Sequence, residues 1–365
     1  MLILFLSVVL LILSGFLYMK QNKFGKLPQG KRLEKIEQSP NYKDGAFQNL
    51  SHTPSLEEGT SMIGIMVEFL FKKVENKVPL TDIPSVKTDI KSLDRNQDIL
   101  IWFGHSSYYF QLNGKRFLVD PVFSGSISPV PNSGKSFKGT DVYAVEDFPE
   151  IDYLLITHDH YDHLDFQTII KLNDRVKTVI CGLGVGAHFE LWDYEPSKII
   201  EKDWYDSVTL ENQLKITLTP ARHFSGRTFK RNTSLWTSYV LESPDYKMFV
   251  GGDSGYDFHF KEIGEKYGPF DLAMLENGQY NQKWRYIHTL PEEIHTVAEE
   301  LKAKRFFPVH SAKFSLAYHS WKEPLEKVSE FNKESDIPMI TPKIGEVVQL
   351  RNTTQTFSKW WEEVE

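Results

Sequence analysis

Cysteine is nearly missing from this chain of 365 residues, with Cys181 the only one. No disulfide can close within it, and no thiolate-rich metal site can be built. One cysteine fits a reducing compartment without excluding an oxidising one. Its apolar neighbours mark Cys181 as a core residue rather than a reactive one. Any metal must therefore be held by histidine, aspartate or glutamate. Basic blocks are missing too. The net charge is −7, and lysines gather only loosely over residues 20 to 35. That argues against a nucleic-acid partner, because phosphate backbones attract strongly basic faces. No internal repeat of solenoid length occurs. What remains is ordinary globular composition, 41% hydrophobic and 25% charged, with room for one large domain or two smaller ones.

The first segment is LILFLSVVLLILSGFLYM, residues 2–19. A run of about 18 to 20 apolar residues can span a bilayer as a helix. No Lys or Arg precedes it, and no small-x-small exit or lipoprotein cysteine follows. Residues 1–19 are therefore expected to be a retained membrane anchor, with a cleaved signal as the alternative. Lys20, Lys23, Lys26, Lys31, Arg32 and Lys35 follow it. The positive-inside tendency then puts the domain behind them on the cytoplasmic side. Residues 20–95 carry Pro28, Gly30, Pro40, Gly45, Pro54 and Gly59 and read as a linker and wrapping arm. Within it, Ser61 to Phe71 is apolar. It is either a helix lying on the domain, which is the expectation, or one dipping into a membrane interface. Residues 96–350 form the catalytic domain, and 351–365 a tail.

From Asp98 the pattern becomes layered α/β. Ile99 to Phe103 is a strand stopped at Gly104-His105. Ser107 to Leu112 and Arg116 to Val119 flank Asn113-Gly114, a hairpin signal. Glu150 to Thr157 is a further strand, and it runs into His158-Asp159-His160-Tyr161-Asp162-His163, spaced H-x-H-x-D-H. Residues i and i+2 share a side of an extended chain, so His158 and His160 can grip one ion. Asp162 and His163 come after a turn and can face a second, with a helix at Phe166 to Leu172 fixing that turn. Three more strands end at a ligand-type residue. Leu214 to Thr219 precedes His223, Met248 to Val250 precedes Gly251-Gly252-Asp253, and Arg305 to Val309 precedes His310. Strand ends are rigidly placed and can converge on one point. The glycines before Asp253 allow close backbone approach. One ligand set is His158, His160, His223 and Asp253. The other is Asp162, His163, His310 and the shared Asp253, since a bridging carboxylate holds two ions about 3.5–4 Å apart.

The order of these residues resembles the metallo-β-lactamase superfamily. Within it the chain is similar to the N-acylphosphatidylethanolamine-hydrolysing phospholipase D branch. The stretches that carry the likeness are Trp102 to His105, Phe117 to Ser124, Ile156 to His163, Asn232 to Tyr239 and Gly251 to Tyr256. Phe260 to Gly264, Gly268 to Ala273, and Ile287-His288 with Pro291-Glu292-Glu293 complete them. The resemblance spans roughly residues 98 to 350. It implies an αββα sandwich behind the N-terminal apolar helix, with two zinc ions per chain at one edge. It puts His158, His160 and His223 on the first ion, Asp162, His163 and His310 on the second, and Asp253 between them. Asp162 and His288 would be catalytic, and His288 would also face the substrate. One departure stands out. Where the phospholipase branch has an apolar turn, this chain has Glu276-Asn277-Gly278-Gln279. That places Glu276 as a substrate-binding candidate.

The functional expectation is a dinuclear zinc hydrolase. Its substrate would be an N-acylphosphatidylethanolamine-type phospholipid, cut to N-acylethanolamine and phosphatidic acid. A soluble lactone or ester is the alternative, favoured by the polar turn. A non-catalytic metal-binding protein is disfavoured because every ligand position is filled, and a nuclease because of the negative charge. The partners implied are a phospholipid or small-molecule substrate and a membrane met through the N-terminus, without nucleic acid; the oligomeric state stays open. Among the other histidines, His105 is a candidate to support the site or simply to cap a strand, and His188 to stand near the pocket wall. His52, His259, His295 and His319 read as structural or solvated.

Overall fold

The computed structural model describes residues 1–365, apart from the side chains of Leu2, Ile3, Phe69, Leu70 and Glu334. The N-terminal part contains α1 (Leu2–Met19), α2 (Lys31–Glu37), the small hairpin of β1 (Tyr42–Lys43) and β2 (Ala46–Phe47), and α3 (Met62–Phe71). Next come β3 (Ile99–Trp102), β4 (Tyr108–Leu112), β5 (Lys115–Val119), β6 (Ile151–Ile156), α4 (Phe166–Leu172), β7 (Val176–Gly182), α5 (Gly186–Leu191) and β8 (Ile199–Lys202). The second half runs β9 (Ser207–Thr209), β10 (Lys215–Thr219), β11 (Ser238–Glu242), β12 (Lys247–Val250), α6 (His259–Lys266) and β13 (Leu272–Glu276). It ends with α7 (Ile294–Glu300), β14 (Phe306–Val309), α8 (Glu323–Phe331) and β15 (Val347–Gln349).

Two sheets form. One has seven strands in the order β15-β3-β4-β5-β6-β7-β8, the other six in the order β14-β13-β12-β11-β10-β9. Alternation along each strand decides what fills the layers. Leu100, Trp102, Phe110, Val119 and Leu155 face Ile216, Leu218, Tyr239, Met248 and Met274 in the core between the sheets. Their neighbours Ile99, Ile101, Leu118, Leu154 and Ile156 point the other way and pack on Ile169 and Leu172 of α4 and Phe189 of α5. Likewise Phe249, Ala273 and Phe306 meet Ile263 of α6, Val297 of α7 and Val328 of α8. The result is helix, sheet, sheet, helix, the αββα sandwich expected. Tyr239 ties the layers together by donating its hydroxyl to Ile156 O at 2.5 Å.

The local signals act as anticipated. Asn113 and Gly114 take φ of 48° and 70°, the paired left-handed turn that a two-residue hairpin needs. Asp165 caps α4 by accepting from Gln167 N at 3.1 Å, a contact type worth about 0.5–2 kcal/mol. The same carboxylate accepts from Thr168 Oγ1 and Ser124 N, so the cap also pins the loop after β5.

The arm is packed, with Phe24, Ile36 and Phe47 buried. Residues 351–365, set apart in the sequence as a tail, return Trp360 and Trp361 to the core beside Trp102. Residues 1–19 form α1 as expected, although part of that apolar run, Leu2 and Ile3, lies outside the described side chains. Among the described residues, no helix is long and apolar enough to cross a membrane. Side chains of α1 from Leu4 to Leu17 are largely solvent-exposed and apolar. In α3 only Ile65 of the described residues is buried, while Met62, Ile63, Met66, Val67 and Phe71 are exposed. Among the described side chains of α3, Ile65 packs against Trp284, Ile287 and Tyr318, and Glu68 pairs with Lys283.

Candidate metal centre

Apart from His288, which lies in the loop between β13 and α7, the chemistry-bearing residues leave strands at the same edge of the sandwich. His105 follows β3, Asp120 follows β5, and His158 to His163 follow β6 of the seven-stranded sheet. His223, Asp253 and His310 follow β10, β12 and β14 of the other, where Glu276 ends β13. Backbone bonds join the two edges there, from Thr237 N to Thr157 O at 2.9 Å. Gly252 shows why glycine precedes Asp253: a Cβ there would stand 2.5 Å from Thr237 O and 3.0 Å from Thr157 Cβ. His105, Asp120 and His310 have φ of 53°, 40° and 70°. L residues enter that left-handed region at a cost of about 1–3 kcal/mol, so the surrounding packing holds them there.

All seven residues proposed from the sequence as ligands come together. His160 Nδ1 lies 2.9 Å from His158 Nε2 and 3.3 Å from His223 Nε2. These three form one group that could hold a metal ion. Asp162, His163 and His310 form a second, and His105 joins it. Asp253 stands between the groups. Its Oδ2 is 3.2 Å from both His163 Nε2 and His310 Nε2, 3.9 Å from His158 Nε2 and 3.8 Å from His223 Nε2.

The ring nitrogens turned away from this centre are held by outer partners. His158 Nδ1 lies 3.0 Å from Thr157 Oγ1, His163 Nδ1 2.8 Å from Asp120 Oδ2, and His223 Nδ1 2.8 Å from Ile287 O. Such contacts fix ring orientation and tautomer. His223 is also clamped through its backbone by the arm. Asn49 donates to His223 O at 2.8 Å and accepts from His223 N at 3.1 Å.

The electrostatics differ across the floor. Burial, with the neighbouring imidazoles of His163 and His160, holds His158 well below its ordinary pKa. Burial likewise depresses His223, and it takes His160 to about 4 against the pull of Asp162 and Asp159. On the other side burial is again the largest single influence and opposes charge, but the surrounding carboxylates together, Asp253 foremost with Asp162, outweigh it. His163 rises well above its usual value and His310 rises to about 10. Burial would raise the carboxyls of Asp253 and Asp162, yet the imidazoles, His163 foremost, hold both far below the usual range. His163 Nε2 is buried and makes no hydrogen bond, although Asp253 and Asp162 oxygens lie 3.2 and 3.5 Å away. Neutral imidazoles at His158, His160 and His223, ionised carboxylates at Asp162 and Asp253, and a buried His163 nitrogen facing those carboxylates fit a pair of borderline divalent cations.

The sequence reading gave no role to Asp120, which follows β5, or to Asn49, which lies among the residues read as a linker. His105 was left between two roles; its buried ring brings Nε2 within 3.0 Å of Asp162 Oδ2. His188 lies beside the motif rather than in the cleft. Its Nε2 is 3.2 Å from Asp159 Oδ2, and its Nδ1 accepts from Lys26 N at 3.0 Å. His288 lines the cleft. Glu276 lies beneath it, 3% exposed, with one oxygen in contact with His288 Nδ1 and 3.3 Å from His310 Nδ1. Asn277 is buried and donates to Pro324 O.

A family model described as a β-lactamase superfamily domain matches residues 115–311, more than half of the chain. The chain belongs to the metallo-β-lactamase superfamily. Among its relatives, an uncharacterized protein of Mycobacterium tuberculosis is 35% identical over 329 residues, which cover 89% of this chain and 88% of the relative. N-acyl-phosphatidylethanolamine-hydrolyzing phospholipase D 1 of Caenorhabditis elegans is 29% identical over 269 residues, 67% of this chain and 74% of the relative. Among solved structures, Igni18, a metallo hydrolase from Ignicoccus hospitalis, shares the fold with a TM-score of 0.52. It is 21% identical, over 69% of this chain and 97% of that one. As a member of the superfamily, the chain is a metal-dependent hydrolase.

Proposed function

We propose that the chain is a dinuclear zinc phosphodiesterase. It cleaves N-acylphosphatidylethanolamine-type phospholipids to N-acylethanolamine and phosphatidic acid. The observation that carries this reading is the two-faced cleft above the metal centre. Its volume is about 310 Å³, and His160, Asp162, His223, Asp253, His288 and His310 form its floor. Its wall is apolar, with Leu56, Met62, Ile65, Phe224, Trp284 and Leu316, and Arg231 adds a cation at the rim. A molecule that is anionic at one point and hydrocarbon beyond it matches both faces. The relative from Caenorhabditis elegans supports the same substrate class.

Metal ligation falls to His158, His160 and His223 on one side, Asp162, His163 and His310 on the other, and Asp253 between. Bound there, two zinc ions would supply an acidified water as nucleophile and Lewis acidity toward the phosphoryl oxygens. Asp162 lies on the cleft floor, where its carboxylate can accept a proton from the attacking water and orient it. His288 lines the cleft beside His223, the two ring centroids 5.1 Å apart, where it can meet a phosphoryl group held over the centre. Met62 and Ile65 bring α3 into the wall, so the acyl chains enter beside a helix that also exposes Ile63, Met66, Val67 and Phe71. A membrane is the setting that covers such a face and the apolar α1, since leaving each large side chain in water forgoes about 1.5–3 kcal/mol. The segment 1–19 then serves as the tether, with the lysines after it on the cytoplasmic side.

The test is elemental analysis of the detergent-solubilised protein together with turnover of N-acylphosphatidylethanolamine vesicles, beside Asp253→Ala. Two zincs per chain and release of phosphatidic acid that the variant abolishes is the expected result. Two zincs without lipid turnover moves the function to a soluble lactone or ester, and absence of metal overturns the reading.

A further inference from the structure

We propose that Glu276 is the positioning residue for His288, and that this pair delivers the proton to the departing alkoxide oxygen. The inference rests on the phosphodiesterase reading above and adds the leaving-group half of the reaction. Glu276 ends β13 and is almost fully enclosed, 3% exposed, while His288 is 13% exposed and lines the cleft. One oxygen of Glu276 accepts from Ser254 N at 2.5 Å. The other is in contact with His288 Nδ1 and 3.3 Å from His310 Nδ1. A carboxylate can only accept, so His288 Nδ1 must carry its hydrogen toward Glu276. The ring is thereby set in one orientation, stacked at 19° and 5.4 Å from His310. Among the described residues no protein group takes His288 Nε2 as a hydrogen-bond partner, which leaves that atom to the substrate.

This arrangement is a carboxylate–imidazole pair, in which the buried acid holds the tautomer and supports the protonated ring while the outer nitrogen works on the substrate. The step balances as follows. A water oxygen bonds to phosphorus, and the P–O bond to the leaving group breaks with its electron pair going to the leaving oxygen. The proton on His288 Nε2 passes to that oxygen, the water's proton goes to Asp162, and exchange with solvent returns both groups to their starting protonation. An amide in place of Glu276 could not accept from both Ser254 N and His288 Nδ1, because one of its two positions is an NH₂.

The experiment uses the full chain loaded with zinc, as wild type, Glu276→Gln and His288→Ala. The probes are aryl methyl phosphodiesters graded from 4-nitrophenyl to unsubstituted phenyl. A 4-nitrophenolate leaves with little need of a proton and a phenolate with more. The expected result is a loss that grows along the series in both variants. It should be under about tenfold at the 4-nitrophenyl end and on the order of 10²–10³-fold at the phenyl end. A loss of equal size at every leaving group, or none, overturns the proposal, since a merely structural role scales all rates together. One metal ion fewer in Glu276→Gln also overturns it, because Glu276, Asp253, His288 and His310 are close enough to hold an ion and Glu276 would then be a ligand. A wild type inactive on the whole series defeats the phosphodiesterase reading itself, which separates that failure from this one.

Discussion

His158, His160 and His223 on one side of the cleft floor, and Asp162, His163 and His310 on the other, use the same imidazole to different ends. The first three face one another and touch no carboxylate closer than 3.8 Å. Burial and mutual repulsion keep them neutral, ready to donate a lone pair. The second set faces Asp253 and Asp162 at 3.2 to 3.5 Å. There the carboxylates call for positive charge, and His163 and His310 hold protons to supply it. A cation entering the first side displaces little. A cation entering the second must displace protons, in exchange for a stronger electrostatic well. One fold edge thus offers two ligand sets that differ in charge and in proton competition.

Asp253 is the residue that would erase this contrast, since it reaches both sides. Asp253→Ala should remove more than one metal equivalent and lower turnover by at least ~10³-fold. Elemental analysis beside an activity assay checks it; an active variant with full metal would remove Asp253 from the centre. Next in size are the single-sided changes. His158→Ala and His310→Ala should each lose about one equivalent. With cobalt as the reporter ion, the absorption bands lost in the two variants should differ. Identical spectra would mean that the sides do not act separately.

Smaller effects belong to the outer partners. Asp120→Asn loosens His163, and His105→Ala frees the Asp162 oxygen that it meets at 3.0 Å. Each should weaken metal affinity on the second side by roughly 10–100-fold while sparing the first. Asn49→Ala, which releases the backbone of His223, should do the reverse. Competition with a chromogenic chelator reads both. A variant that weakens both sides alike would show that the outer contacts are shared.

These partners also mark how far the sequence could be read. Period-two alternation, the Asn113-Gly114 turn and H-x-H-x-D-H made the layers and most of the cluster legible, because those signals are local. His223, Asp253 and His310 were legible because each follows a strand, and strand ends share an edge. Asn49 was not: its partner lies 174 residues away and its own surroundings look like linker. Asp120 simply follows a strand and precedes Pro121, and nothing near it announces His163. The polar turn at Glu276 suggested a side chain open to substrate, whereas β13 carries it inward under His288. Trp360 and Trp361 sit in a short, charged C-terminal stretch whose local pattern hides their burial.

The contrast across the floor sets a final expectation for the metal-free protein. Imidazoles of an unfolded chain titrate near pH 6.5. On the first side the folded values are lower, about 4 for His160, so folding is favoured by neutral rings. That stability is present above pH 6.5 and is lost as pH falls toward 4, where the unfolded chain binds protons the folded one refuses. On the second side the folded values are higher, about 10 for His310. That stability is complete below pH 6.5 and is lost as pH rises toward 10, where the folded chain keeps protons that the unfolded one has released. The melting temperature of the apoprotein should therefore peak near pH 6.5 and fall by a few degrees on either side. Bound metal replaces the protons on His163 and His310, so the alkaline fall should vanish in the loaded protein. Calorimetry across this range, with and without metal, measures both limbs. An alkaline limb unchanged by metal would place the ions on the first side alone.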